Sequence, residues 1–262
     1  MELLKLLRKR SFLSELVYVG LNIGLAIAVL IIVRTVESPI PAFLLVTLSK
    51  WRVFAVRPRY WIANIQANFV DFIVSISVVV LMYSVGMHSS YGLVAQILIV
   101  ALYIAWLIYL KPRSSKRAVA SQAWTALLVG TTALFAVSYS WPIELIVVGM
   151  AIIGYVSGRH ALTQFEEDHL QFLSLMSALI MAHIGWIFYH WVIAYSLPVI
   201  EARIPQVTII VAVLFFVLYR VYDSYKRHNK VEPADVVLPI LFSIGIVFTL
   251  MIFFSAIPVG MP

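Results

Sequence analysis

Apolar segments long enough to cross a lipid bilayer recur along almost the whole chain. A transmembrane helix needs roughly 20 mostly apolar residues, and several segments approach that length. They are residues 14–33, 40–56, 61–86, 91–110, 118–138, 142–158, 170–195, 205–222 and 236–257. The pattern predicts an all-α polytopic transmembrane helix bundle of about nine spans, with short loops and a single integral membrane domain over residues 1–262.

The composition agrees with a membrane protein. Hydrophobic residues make up 63% of the chain and charged residues 12%, whereas a soluble domain is about half apolar and a quarter charged. The net charge of +7 does not indicate a nucleic-acid partner, because the basic residues lie in short blocks between apolar segments. The chain has no cysteine, which excludes disulfides and thiolate metal ligands. The predicted partner is the lipid bilayer, and the predicted location is the cell membrane.

The distribution of Lys and Arg predicts the orientation. With nine spans and a cytoplasmic N-terminus, 17 of the 19 Lys and Arg residues fall on the cytoplasmic side, as the positive-inside rule requires. Segment 40–56 is the weakest of the nine, because Lys50 and Arg52 interrupt it, and a re-entrant loop is the alternative. That alternative would move the basic block at 50–59 to the opposite side, so the count favours nine spans.

A polar stripe runs along the third segment. Asn64, Asn68, Asp71 and Ser75 are spaced to share one helical face, and lipid cannot satisfy their hydrogen bonds. Asp71 lies roughly 15 Å along the helix, near the bilayer centre. One hypothesis is a proton or cation site, or the wall of a polar cavity. The alternative is a hydrogen-bonded seam between helices.

The seventh segment carries histidines at multiples of seven residues, namely His169, His183 and His190. Such spacing brings side chains to nearly the same helical face. Because Asp71 and His183 are predicted at similar depth, we hypothesise that they face each other and that His190 extends the polar path. An imidazole beside a carboxylate can titrate near neutral pH. The alternative for each histidine is a core side chain bonded to a backbone carbonyl or a hydroxyl.

The histidine spacing does not favour a metal site. His183 and His190 are separated by roughly 10 Å along the axis, whereas two ligands on one helix usually lie three or four residues apart. No cofactor is predicted. A haem shared between subunits, or one with Met176 or Met181 as a ligand, remains an alternative.

Two charged features remain. The cluster Glu166, Glu167 and Asp168 follows Thr163, and T-x-x-E is a capping-box pattern that predicts a helix start. The basic blocks between segments combine cationic and aromatic residues, which predicts contacts with anionic lipids or, alternatively, serves topology alone. The predicted lipid contacts are Arg52, Arg57, Arg59 and Arg113.

The sequence favours a small transporter or permease-like protein with a polar path formed by Asp71, Asn68, His183 and His190. A structural or assembly subunit is the alternative, with a membrane-protein partner or a second copy of the chain. An intramembrane enzyme dependent on a metal or haem is the third hypothesis, and the histidine spacing argues against it.

Overall fold

The computed structural model describes residues 2–53, 55, 57–88, 92–165, 167–196 and 203–254, without the side chains of residues 2–12, 52, 63–64 and 86–88. The helices in these ranges are α1 (Glu2–Thr35), α2 (Ile40–Ser49), α3 (Trp61–His88), α4 (Gly92–Ala105), α5 (Lys116–Val137), α6 (Ile143–Thr163), α7 (Leu170–Tyr189), α8 (Gln206–His228) and α9 (Pro233–Phe253). One antiparallel strand pair joins α7 to α8, formed by β1 (Ala194–Ser196) and β2 (Arg203–Pro205).

Eight of these helices, all except α2, are long and apolar enough to cross a membrane, with α4 counted together with the helical turn Trp106–Leu110 that continues it. The prediction of an all-α, multi-pass membrane protein is therefore confirmed, and the protein contacts the lipid bilayer. By internal contacts the chain forms two compact units. The first covers residues 1–122 with 199–201, and the second covers 123–198 with 202–262. That the whole chain forms one domain stays a prediction.

Helix α2 is short and lies antiparallel to α3. Its ten residues rise about 15 Å, half of the roughly 30 Å hydrocarbon core. At its start, the Tyr83 hydroxyl donates hydrogen bonds to the carbonyl oxygens of Val36 at 3.0 Å and Ser38 at 2.7 Å. At its end, the Lys50 ammonium contacts the Asp71 carboxylate, which lies twelve residues before Tyr83 on α3.

A hydrogen bond from a serine side chain lies at the last residue of α2. The Ser49 hydroxyl donates to the Val46 carbonyl oxygen at 2.6 Å, a local bond that competes with helix propagation. Lys50 follows with φ −95° and ψ 8°, outside the α-helical region. The helix thus stops where the apolar residues of this segment give way to Lys50 and Trp51.

Irregular backbone carries the chain along the rest of α3. The 3₁₀ turns Trp51–Val53 and Pro58–Tyr60 both pack against α3, and the chain then enters α3 at its first residue, Trp61. The chain therefore leaves α2 beside Asp71 and enters α3 at Trp61, whereas a re-entrant loop would return to the level of Tyr83, where α2 begins. Because α2 ends at Ser49, the prediction that residues 40–56 form a helical span is wrong.

In the second unit, α6 and α7 form the most extensive helix pair. An added Cβ atom at Gly154 would lie 2.7 Å from the Ser177 carbonyl oxygen and 2.6 Å from the Met181 Cγ atom. At Gly158 it would lie 2.6 Å from the Ser177 hydroxyl. Small residues spaced four apart let membrane helices approach closely, and the G-x-x-x-G pair in α6 serves this purpose.

Helix α7 begins at Leu170, the first residue of the predicted segment, but Thr163 does not cap it and it ends before residue 195. Thr163 is the last residue of α6, and its hydroxyl donates back to the His160 carbonyl oxygen at 2.7 Å. The capping-box prediction is therefore wrong for Thr163, while Glu166 lies outside the described residues. At the other end α7 stops at Tyr189, because the chain turns through His190 into strand β1.

Candidate functional site

A buried cluster of three ionisable side chains lies where α2 ends. The Lys50 ammonium contacts Oδ2 of Asp71, and the Lys111 ammonium contacts the same oxygen at 2.8 Å. The side chains of Lys50 and Asp71 are 5% and 9% exposed, whereas that of Lys111 is 31% exposed. We call Lys50, Asp71 and Lys111 the Lys–Asp–Lys cluster.

Helix α4 and the turn Trp106–Leu110 that follows it complete the surroundings of Asp71. The Trp106 indole N–H donates to Oδ1 of Asp71 at 3.2 Å, so both carboxylate oxygens accept hydrogen bonds. One turn further along α3, the Tyr103 hydroxyl donates to the Ser75 hydroxyl at 3.0 Å. The predicted polar stripe therefore points into the protein at Asp71 and Ser75, both of which are buried.

Three hydrogen bonds fix the register of α3 against α4. Besides the Trp106–Asp71 and Tyr103–Ser75 bonds, the Gln96 amide donates to the Met82 carbonyl oxygen at 3.0 Å. Residue numbers rise along α3 in these three pairs while they fall along α4, as they must in antiparallel helices. This register brings the end of α4, and Lys111 after it, to the level of Asp71.

The backbone that carries Lys111 is irregular and is held by side chains. The segment Trp106–Leu110 is a π-helical turn, a feature often found at functional sites. The Tyr18 hydroxyl of α1 donates to the Leu107 carbonyl oxygen at 3.1 Å. The Gln122 amide donates to the Leu110 carbonyl at 2.7 Å and to those of Lys111 and Arg113 at 3.3 and 2.8 Å. These bonds satisfy carbonyls that a regular helix would pair itself.

The electrostatics of the cluster depend on close pairing. Removing an ion from water costs several kcal/mol even after relaxation, and attraction at contact distance offsets this cost only when the geometry is good. Asp71 meets that condition, because two ammonium groups and an indole N–H approach its carboxylate. The arrangement can hold charge inside the membrane and can respond to a proton, an ion or a charged solute.

The predicted histidines have other surroundings. His183 is exposed, and its Nδ1 atom donates to the Leu179 carbonyl oxygen at 2.8 Å. His190 is exposed and forms edge contacts with the rings of Trp186 and Tyr189, at centroid distances of 5.5 and 5.6 Å. The bond from His183 to a backbone carbonyl agrees with part of the alternative, but both histidines are exposed and neither is the core side chain that the alternative described.

The hypothesis that Asp71 faces His183 stays a prediction, and the structure gives Asp71 partners that the sequence analysis did not suggest. Its recorded partners are Lys50, Lys111 and Trp106, and none of them was proposed as an intramembrane partner. Asn68, one turn from Asp71, is half-buried and has interactions of its own. A role for these residues or for the histidines in proton transfer stays a prediction.

The predicted lipid-binding arginines lie at the surface where they are described. Arg57, Arg59 and Arg113 are exposed, and the Arg59 guanidinium lies 4.6 Å from the centroid of the Tyr60 ring. The side chain of Arg52 lies outside the described ones. Contact of these arginines with anionic headgroups stays a prediction.

Within the described part of the chain, no group of three or more His, Asp or Glu side chains is placed to hold a metal ion. Comparison of the chain with models of protein families, with curated proteins and with solved structures finds no match. The function proposed below therefore depends on the site alone.

A second charged cluster ties the loop after α6 to α8. Glu167 accepts hydrogen bonds from the Tyr222 hydroxyl and from the Lys226 ammonium, the latter at 2.7 Å. The backbone N–H of His169 also donates to the Glu167 carboxylate, at 3.3 Å. The hydrogen bond from Lys226 is the largest of the effects that lower the pKa of the Glu167 carboxyl below its ordinary value.

This lowered pKa gives a pH dependence of stability. Glu167 stabilises the fold above the ordinary carboxyl pKa of about 4.3, and the contribution is lost as the pH falls through the lower pKa of the folded state. We expect the Glu167→Gln variant to melt below wild type at pH 7, with the difference shrinking toward pH 3. Melting temperatures measured in detergent from pH 7 to pH 3 test this. A difference that stays constant with pH would contradict it.

Proposed function

We propose that this protein is a small permease of the cell membrane and that the Lys–Asp–Lys cluster is its ion-responsive site. The observation that carries the proposal is a buried, charged cluster at the point where α2 breaks. Ionisable groups within membrane spans are costly and mark substrate or proton pathways. Discontinuous helices form the binding sites of many transporters.

The cluster offers a physical route for coupling. While Asp71 is ionised, it holds the C-terminal end of α2 through Lys50 and the end of α4 through Lys111. Protonation of Asp71, or competition by another anion, weakens both ion pairs at once. The end of α2 then loses its charged tie to α3.

Cysteine accessibility tests the permease proposal, because the chain has no native cysteine. Ser75 is fully buried one turn from Asp71. We expect Ser75→Cys in membranes to react slowly with a hydrophilic thiol reagent, because a permease must admit water to this level during its cycle.

Two control variants set the scale for this reaction. Ala126→Cys, at a fully buried apolar position of α5, should stay inert, and Tyr139→Cys, at an exposed position, should react at once. Equal inertness of Ser75→Cys and Ala126→Cys would contradict the permease proposal.

A second candidate function, an assembly subunit, is favoured by α1. An added Cβ atom at Gly20 or Gly24 would meet nothing within 4 Å, and Leu21 between them is 70% exposed. These glycines form a G-x-x-x-G pair, the kind that packs membrane helices together. In this reading α1 receives a helix from a second copy of the chain or from another membrane protein.

Disulfide cross-linking tests the assembly candidate with a second copy as the partner. We expect Gly20→Cys to form a disulfide-linked dimer in native membranes if α1 packs against its own copy, because α1 helices in contact bring the two thiols close. Tyr139→Cys serves as the exposed control. A monomer for both variants on a non-reducing gel would contradict self-assembly through α1.

A further inference from the structure

The Lys–Asp–Lys cluster has more hydrogen-bond donors than the described residues have acceptors for. An ammonium group carries three N–H donors, and Oδ2 of Asp71 is the acceptor that the described residues provide for both Lys50 and Lys111. The Lys50 side chain is only 5% exposed, so water has little access to its remaining donors. A buried donor without an acceptor costs about 1–3 kcal/mol, and more when it is charged.

The charge of the cluster is unbalanced in the same direction. Two ammonium groups face one carboxylate, so the cluster carries one net positive charge while all three groups are ionised. The further polar contact of Asp71, the Trp106 indole, is also a hydrogen-bond donor. In the described contacts of the cluster, positive charges therefore outnumber negative ones and hydrogen-bond donors outnumber acceptors.

An oxyanion supplies both negative charge and hydrogen-bond acceptors. A carboxylate or phosphate group accepts several hydrogen bonds and carries the negative charge that neutralises the cluster. A cation would add to the excess positive charge, and a neutral donor would compete with the lysines for Asp71. The chemistry of the cluster thus selects for small oxyanions.

The partly exposed Lys111 gives such an anion a way in. Its side chain is 31% exposed, against 5% for Lys50, so the positive charge extends from an accessible ammonium to a buried one. The Gln122 amide holds the backbone carbonyl of Lys111, which keeps this residue beside Asp71. An oxyanion can therefore meet Lys111 first and then Lys50.

We infer that the Lys–Asp–Lys cluster binds a small oxyanion between Lys111 and Lys50, either a soluble carboxylate or phosphate or the phosphate of a lipid headgroup. The inference rests on the proposed permease function, for which it names the substrate class. Binding itself can be measured without transport, so the two proposals can fail separately.

Thermal unfolding of the full chain tests the inference. The protein is placed in nanodiscs of neutral lipid, and its melting temperature is followed by tryptophan fluorescence as acetate or phosphate replaces chloride at constant ionic strength. We expect the melting temperature of the wild-type protein to rise with the acetate or phosphate concentration and then to level off. In a second set of measurements the nanodiscs contain phosphatidylglycerol. If this lipid raises the melting temperature while acetate and phosphate do not, the oxyanion is the phosphate of a lipid headgroup.

Matched variants assign the effect to the cluster. Lys111→Gln should weaken the apparent affinity about tenfold or more, because it removes one charged hydrogen bond to the ligand. Lys111→Arg should retain binding, and so should Lys116→Gln, which removes an exposed lysine nearby. The absence of a saturable shift in all arms, or an equal shift in Lys111→Gln and Lys116→Gln, would overturn the inference.

The cysteine test separates this result from the permease proposal. A saturable shift together with an inert Ser75→Cys would retain the anion site and reject the permease. A reactive Ser75→Cys with no shift in any arm would reject the anion site and retain the permease.

Discussion

Replacement of Asp71 by asparagine is expected to lower the free energy of unfolding by about 3–5 kcal/mol, the range found when one partner of a buried ion pair is removed. The substitution keeps the size of the side chain but leaves Lys50 and Lys111 facing each other without a carboxylate. Lys50→Gln should cost less, because it leaves one ammonium paired with one carboxylate. Reversible unfolding in mixed micelles measures both variants.

Two further variants make this prediction specific. Asp168→Asn changes an exposed aspartate and should leave stability within about 0.5 kcal/mol of wild type. The double variant Lys50→Gln/Asp71→Asn should be more stable than Asp71→Asn alone, since it removes one of the two unpaired charges. Equal stabilities for Asp71→Asn and Lys50→Gln would contradict the charge balance described for the cluster.

The second large effect is expected at the contact of α6 with α7. Gly154→Ala should destabilise the protein by about 1–3 kcal/mol, the usual cost of overpacking. The added methyl group would lie 2.7 Å from the Ser177 carbonyl oxygen, a backbone atom that cannot rotate away. Unfolding in mixed micelles gives the free-energy difference.

A matched glycine provides the control for this experiment. At Gly20 an added Cβ atom would meet nothing within 4 Å, so Gly20→Ala should be neutral or stabilising by up to about 1 kcal/mol, because alanine favours the helix. Opposite signs for the two substitutions are therefore expected. A similar loss of stability in Gly154→Ala and Gly20→Ala would show that close packing of α6 against α7 does not require glycine at position 154.

The sequence was sufficient to predict the elements whose cause is local. Long apolar segments specify the eight spanning helices, because lipid leaves the backbone no other way to satisfy its hydrogen bonds. The spacing of Asp71 and Ser75 on one helical face predicted their burial. Each of these predictions depends on the periodicity within a single segment.

The partners of Asp71 could not be predicted in this way, because they depend on the register between segments. Lys50 and Lys111 were assigned to cytoplasmic flanks by the positive-inside rule, and their proximity to Asp71 arises only when α2 and α4 pack on α3. The sequence does contain a signal, since Lys50 interrupts an apolar segment and so needs a counter-charge. A search for that counter-charge would have led to Asp71 in the next segment.

The hydrogen bonds between α3 and α4 have a mechanical consequence. Sliding or turning one of these helices would break the bonds at Met82, Ser75 and Asp71 together, so the pair moves as a rigid body. Among the described residues between Lys50 and Trp61, the regular elements are the 3₁₀ turns Trp51–Val53 and Pro58–Tyr60. The α3–α4 pair is therefore the fixed frame of the first unit, and it holds Lys111 and the end of α2 at the level of Asp71.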